Sequence, residues 1–566
     1  MKNLFCFLFT FLLVGCENFL DTENLIKKDT SNFPKTEEDA NQALVGIYAT
    51  LPFGFGEPTS NNPLIVSEIL SDDRLGGGSE GDRKMQAYNV LMKTDDNMLQ
   101  IFWTQRYQGI FRANSLLQSI ENVEKWESES IKNQLLGEIY FLRAYSYFEL
   151  CRMFGSVPLV ITTEPVNYPK ATPDELYAQI ASDLKNAISL MESTPFGQSG
   201  APELGHATKW AAEALMARVF LFYTGYYNKS EIVLPEKETI TKQNIIDWLN
   251  DCISNSGHEL IEDFRNLWPY SNKYTASDYN YAKMNNLSWV EESGANKETI
   301  FALKFSIRGN WTNIAHGNAA ICYFSMRNQP NYNEVFPFGQ GYGVAPVNSA
   351  MYKEWLKKEP TDIRRDGSII DVNNPEENIK YIWGQGKQIE ETGYWQKKYI
   401  AINHKKEDGG VENFSVPMYG CTPNFQFDNT QDIIVIRFAD VLLMMAELKE
   451  DVTYLNQVRN RANLNSLSTY SLSSLQYERR WELAFEGHRY YDLLRWGIAG
   501  ETLQKQNGIK IWNRGKESTM NMRNIIQRIN ETGGFMPIPQ TQIDLSNGAL
   551  EQTSGWTSND LLFHGY

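Results

Sequence analysis

Leu136, Tyr140, Ala144, Tyr147, Cys151 and Phe154 recur at intervals of three or four residues. That interval lines them up on one side of an α-helix, and a helix with such a stripe must find an apolar partner. The run stops at Gly155, with Pro158 beyond, as a helix end requires. Two further stripes follow, Leu176-Ile180-Leu184-Ile188-Met191 and Ala212-Leu215-Val219-Phe222. The second stripe's segment opens on Thr172-Pro173-Asp174-Glu175: an N-cap hydroxyl, a proline at the first helical position and two acids in the first turn. Earlier, Glu37 to Leu51 predicts a helix with Ala40, Leu44 and Ile47 on one face, and residues 96–123 predict another. Paired antiparallel helices of this length are the units of an α-solenoid such as a tetratricopeptide array, although the repeat consensus itself is not visible. The expected fold class is therefore mostly α.

The rest of the chain is read against that scaffold. Residues 52–93, with "GGGSEGD", predict a long loop. The stretch from about 226 to 431 is rich in Asn, Gly, Tyr and Trp and predicts an irregular, loop-rich region. It holds two strand-like pieces, "TIFALKFSI" and "DIIVIRF". Periodicity returns in "ADVLLMMAELKE", in a partner carrying Leu455, Val458 and Ala462, and in "SLQYERRWELAFEGHRYYDLLRWG", which predicts a single helix ended by Gly497. Residues 535–551 predict an extended tail. The boundaries are 36–225 and 432–566 for the helical scaffold and 226–431 for the region laid over it.

The N-terminus limits where such a scaffold can work. Lys2 precedes an apolar run from Leu4 to Val14, about half the ~20 residues of a membrane span but the length of an export signal. It ends in Leu13-Val14-Gly15-Cys16, which resembles a bacterial lipobox. Residues 1–15 then form a signal peptide, Cys16 is lipidated, and 16–35 form a flexible tether. Two or more acyl chains hold a protein firmly at a membrane surface without crossing it.

A net charge of −16 argues against a nucleic-acid footprint. Cys151, Cys252, Cys322 and Cys421 lie far apart with no CxxC, and the six histidines form neither HxxxH nor HExxH, so no metal or other cofactor is expected. Glu478, Glu482 and Glu486 fall on one helix face. A glycoside hydrolase needs two carboxyls facing across a cleft, which three on one face do not provide. They read instead as ion-pair partners of Arg479, Arg480, Arg489 and Arg495, so no enzymatic activity is expected.

In order along the chain stand the lipobox at Cys16, "WTQRYQGIFRANSLL", "GEIYFLRAYSYFELCRMFGSVPLV", "IRFADVLLMMAEL" with "NQVRNRA", "ERRWELAFEGHRYYDLLRWG" and "MPIPQTQIDLSNGALEQ". This ordered set resembles the SusD/RagB family of outer-membrane nutrient-binding lipoproteins over essentially the whole length. The ending departs from it, with "EQTSGW" where an Asn-Pro-Gly-Tyr-like close is usual. The resemblance implies a tetratricopeptide-like scaffold under a loop-rich ligand region. It implies surface export, signalled by Glu17, Asp21 and Glu23. It also implies a non-catalytic lid over a SusC-like TonB-dependent transporter, with oligosaccharides or in some members oligopeptides as ligands. A surface glycoside hydrolase is the alternative of a different class. Sugar rings need aromatic faces and Asp, Asn or Arg at their hydroxyl edges, carried on loops. With 14 Trp, 29 Tyr and 29 Phe the chain can supply them. The candidates are Asp73, Arg74 and Tyr88, then Trp311, Tyr323, Arg365 and Tyr394.

Overall fold

The computed structural model describes residues 33–52, 62–294, 296–309, 317–557 and 561–565. The signal, Cys16, most of the tether and Trp311 lie outside these residues. Eight helices build the first half: α1 (Glu37–Tyr48), α2 (Pro63–Ile69), α3 (Arg83–Asn89), α4 (Gln100–Ser119), α5 (Glu129–Phe154), α6 (Pro173–Leu190), α7 (Lys209–Tyr226) and α8 (Lys242–Asn255). The start of α6 follows from its sequence. Thr172 accepts from the Glu175 N–H while the Glu175 carboxylate accepts from the Thr172 N–H, and Pro173 fills the first position.

Successive helices pack in pairs, α4 on α5, α5 on α6, α6 on α7 and α7 on α8. Helix α5 is flanked by α1, α4, α6 and α7 and is buried on nearly every side, which hides any single amphipathic stripe. It ends at Gly155 with φ +75°, where a Cβ would come within 2.8 Å of the Phe535 ring. Gly225 permits a second close approach: a Cβ there would stand 2.7 Å from the Arg495 carbonyl, so α7 and the helix Arg489–Arg495 meet almost backbone to backbone.

Departures from the sequence expectations have physical causes. The 52–93 segment is not one long loop. It contains α2, whose seven residues are all buried and which is capped by Asn62 with Pro63 at its first position, and α3. Helices this short show no measurable period. The glycines beside them serve close backbone contact, since a Cβ on Gly76 would fall 2.7 Å from Gln86 Cα. The scaffold also continues past residue 225, because α8 packs on both α7 and the helix Phe438–Lys449. Finally, the segment ending at Gly497 is two helices, Leu472–Glu482 and Arg489–Arg495, broken where Phe485 and Gly487 take φ of +67° and +80°. The tail likewise holds a short helix, Gln540–Leu545.

Among the described residues strands occur only as two-stranded pairs. The two strand-like pieces find each other: Thr299–Leu303 runs antiparallel to Ile433–Arg437, with Leu303 opposite Ile433 and Thr299 opposite Arg437. One apolar core runs from Ala40 to Trp556 and takes in both strands.

Candidate functional site

The register of that strand pair creates a site at one of its ends. Leu303 faces Ile433, so the next residues outward, Lys304 and Asp432, are neighbours, and Lys304 Nζ donates to Asp432 Oδ2. Beyond them opens a cavity of about 520 Å³. Its apolar wall is Trp289, Phe305, Ile307 and Tyr419, and its polar wall includes Glu291, Thr430 and Asp432. Trp289 is fixed from behind, its Nε1 donating to the Leu267 carbonyl at 3.3 Å and its ring set edge-on to Phe414 at 5.6 Å. Tyr419 closes the short helix Ser415–Tyr419, which Gly420 terminates at φ +72°. The residue is 44% exposed, at the mouth of the cavity rather than in the core.

Burial raises the Asp432 carboxyl to about 6 although Lys304 opposes the shift. Partial burial, with Asp432, Glu291 and Glu292 nearby, lifts the Tyr419 hydroxyl to about 12, so it stays a neutral donor at ordinary pH. Aromatic and aliphatic faces therefore stand beside hydroxyl, amide and carboxylate groups. That is a receptor for a solute with an apolar face and a polar edge.

None of the six described sequence candidates lines this cavity. Asp73 is buried and accepts from Arg480 Nε at 2.7 Å. Arg74 is fully buried between the Phe324 and Phe485 rings, at 4.7 and 5.0 Å, with Glu68 3.7 Å away. Tyr88 is in the apolar core. Tyr323 is buried edge-on to Tyr342. Arg365 pairs with Asp366 at 2.9 Å and lies 5.7 Å over Tyr352, whose ring is 4.6 Å from that of Tyr394. Arg365 and Tyr394 are thus brought together, through Tyr352. Asp72 and Asp73 serve internal pairing, to Arg480 and Arg489 about 400 residues onward. The strand pieces at 299–307 and 432–438 carried the signal for Lys304 and Asp432; Trp289 and Tyr419 had none.

Glu478, Glu482 and Glu486 are buried, and each is matched by cations. Glu478 accepts from Arg364 at 2.6 Å and Arg459 at 3.1 Å. Glu482 meets Arg364 at 2.9 Å, Arg437 and Arg461. Glu486 meets Arg437 and Lys398, each at 2.7 Å. Burial alone would raise the Glu482 carboxyl, yet Arg461, Arg437 and Arg364 outweigh it and hold the group well below the usual range. A buried acid held ionised, as Glu482 is, cannot protonate a leaving group, whereas burial shifts Glu478 upward despite Arg364 and Arg459. The expected partners were the neighbouring arginines. Those instead reach Asp440 and Asp492 (Arg479), Asp72, Asp73 and Glu354 (Arg480), Asp72 (Arg489), and Glu447 and Asp492 (Arg495). Among the described residues no group of three or more His, Cys, Asp or Glu could hold a metal ion, and Cys151, Cys252, Cys322 and Cys421 are free and buried.

Stacked helix pairs carrying a loop-lined, aromatic-walled cavity define a helical-repeat ligand-binding protein. Two family profiles match the chain, one described as starch-binding associating with outer membrane over residues 18–221 and the SusD family over residues 288–556. The chain belongs to the SusD/RagB family. It is similar to SusD-like protein P2 of Formosa agariphila, at 24% identity over 86% of this chain and 89% of that one. Among solved structures it is similar to a laminarin-binding SusD-like protein, with TM-score 0.69 and 26% identity over 92% of this chain and all of that one. It also shares its fold with surface glycan-binding protein A of Bacteroides thetaiotaomicron in complex with laminarihexaose, with TM-score 0.70 and 19% identity over 92% and 100% of the two chains.

Proposed function

We propose that this protein is a surface lipoprotein, anchored through Cys16, that binds oligosaccharides and hands them to a SusC-like TonB-dependent transporter as a non-catalytic lid. The observation that carries the binding reading is the cavity at Lys304 and Asp432, in which aromatic faces and hydrogen-bonding edges are juxtaposed in about 520 Å³. That volume lies in the range of pockets that enclose a drug-sized ligand, roughly 300–1,000 Å³. The laminarin-binding relative, similar over its full length, supports a neutral glucan as the first ligand to try. Among the described residues no helix is long and apolar enough to cross a membrane, in keeping with a tether at Cys16.

Isothermal titration of the full chain against laminarihexaose, other neutral oligosaccharides and a peptide panel tests the ligand class. Heat released by a glycan and lost in Tyr419→Ala supports the reading; binding confined to peptides overturns it. Cys16→Ala should release the protein from outer membranes of cells lacking the transporter, and continued association would contradict the anchor. Co-purification of the tagged protein with a β-barrel transporter tests the partnership.

A further inference from the structure

A second cavity, of about 390 Å³, lies on a different part of the chain and carries the opposite charge character. It forms where the hairpin of strands Lys510–Asn513 and Lys516–Thr519 docks on residues 388–391 beside the start of α3. The docking is a backbone fit. Trp512 and Glu391 exchange N–H···O bonds at 2.8 and 3.0 Å, Arg514 N donates to the Gln388 carbonyl at 2.6 Å, and Glu390 N donates to Asn513 Oδ1 at 2.8 Å. The walls carry Arg83, Arg514 and Lys516, with Gln86, Asn513 and Ser518 between them.

Both acids at this cavity are already engaged. Glu80 is paired with Arg514, and Glu517 with Lys510 at 2.5 Å. The side chains of Arg83 and Lys516 have no hydrogen bond or ion pair with any described residue. The chain as a whole has a net charge of −16, and the first cavity sets Glu291 and Asp432 against a lone lysine, Lys304. Two cations that no described residue pairs, at one concavity of so acidic a chain, make a local field of reversed sign. A guanidinium fork matches two oxygens of a carboxylate or sulfate, and an ammonium adds a point charge. The amide of Asn513 and the hydroxyl of Ser518 leave hydrogen-bonding capacity for sugar hydroxyls.

We infer that this basic cavity is a second binding site, one that takes the anionic substituent of an acidic glycan, a uronate carboxylate or a sulfate ester. The inference rests on the glycan-binding reading above and adds a substrate class to it. Neutral segments of the polymer then suit the aromatic cavity and charged residues suit the basic one.

The test is titration of the full chain with tetragalacturonate, with a sulfated carrageenan tetrasaccharide and with neutral laminarihexaose, at low and high salt. At low salt at least one anionic ligand binds, and salt weakens it. The variant Arg83→Gln/Lys516→Gln lowers that affinity at least tenfold and flattens its salt dependence, leaving laminarihexaose binding unchanged. Which anionic ligand binds distinguishes carboxylate from sulfate. Failure of both to bind, or anionic binding indifferent to the double substitution, overturns the inference even when laminarihexaose binds normally. Anionic binding lost in the double variant, with no neutral glycan bound, supports the inference and removes the neutral-glucan reading instead.

Discussion

Arg143 and Asp183 meet through two parallel hydrogen bonds, Nε to Oδ2 at 2.8 Å and Nη2 to Oδ1 at 2.7 Å. Both are buried, and they join α5 to α6. The third arm of the guanidinium, Nη1, donates to Asn114 Oδ1 at 2.8 Å, so α4 is tied in too. Arg143→Ala would leave a buried carboxylate unpaired, which costs about 3–5 kcal/mol. Urea unfolding should show that loss. Arg143→Lys should recover only part of it, because an ammonium cannot make the bidentate pair. Full recovery by lysine would contradict the geometric argument.

Glu482 sits among Arg364, Arg437 and Arg461, which come from three separated parts of the chain. Glu482→Gln removes the charge that offsets them and should lower stability by about 3–5 kcal/mol. Chromatography of oligosaccharides incubated with either protein should show no cleavage. Sugar released by the parent and not by the variant would make Glu482 a catalyst instead of a structural acid.

What was legible in advance follows from how local each signal was. The capping residues around Thr172 and the Gly155 stop act within one turn, and they appear where the sequence placed them. Helices α2 and α3 were hidden because seven residues hold too few turns to show a period. The partners of Glu478, Glu482 and Glu486 are not the arginines beside them in sequence, because nearness along a helix is not nearness in space. The break at Phe485 and Gly487 separates the flanking helices, and tertiary packing brings Arg364 and Arg437 to the acids instead. The cavity was half visible: both strands were recognised, but only their register shows that Lys304 and Asp432 share an end.

Glu138 is shared by Tyr48, whose hydroxyl donates at 2.5 Å, and by His206 Nδ1 at 2.9 Å, a junction of α1, α5 and the segment before α7. The hydrogen bond to Glu138 raises the His206 pKa against the effect of burial. A histidine whose folded pKa lies above its unfolded value, about 6.5, adds stability that is complete below that value and disappears as pH climbs through the folded one. With its side chain 46% exposed, His206 should give only a small effect. The melting-temperature difference between the parent and His206→Gln should be largest on the acid side of this window and shrink above it. A difference that grows with pH would reverse the assigned sign.

Tyr419 is the most accessible ring of the aromatic cavity. Its removal should therefore alter binding far more than folding. Losing one ring face against a sugar is worth about 1–2 kcal/mol, roughly a tenfold loss of affinity. Titration of Tyr419→Ala with laminarihexaose should show that drop beside an unchanged melting temperature. Unchanged affinity would place the ligand elsewhere.

Asp432 gives the same site a pH dependence. Its folded pKa of about 6 lies above the ordinary aspartate value of about 3.9, because burial penalises the charged form and Lys304 only partly compensates. The fold thus favours the protonated acid, and the stability given up on ionisation returns as pH falls through about 6. Binding should respond in the opposite sense. A sugar hydroxyl donates best to the ionised carboxylate, and protonation also frees Lys304 from its partner. Affinity for a neutral oligosaccharide should be flat above about pH 7 and fall as pH drops through about 6. Asp432→Asn should bind weakly at every pH and lose the step. Titrations across this range would contradict the role of Asp432 if affinity rose on acidification, or if the asparagine variant kept the parent's pH profile.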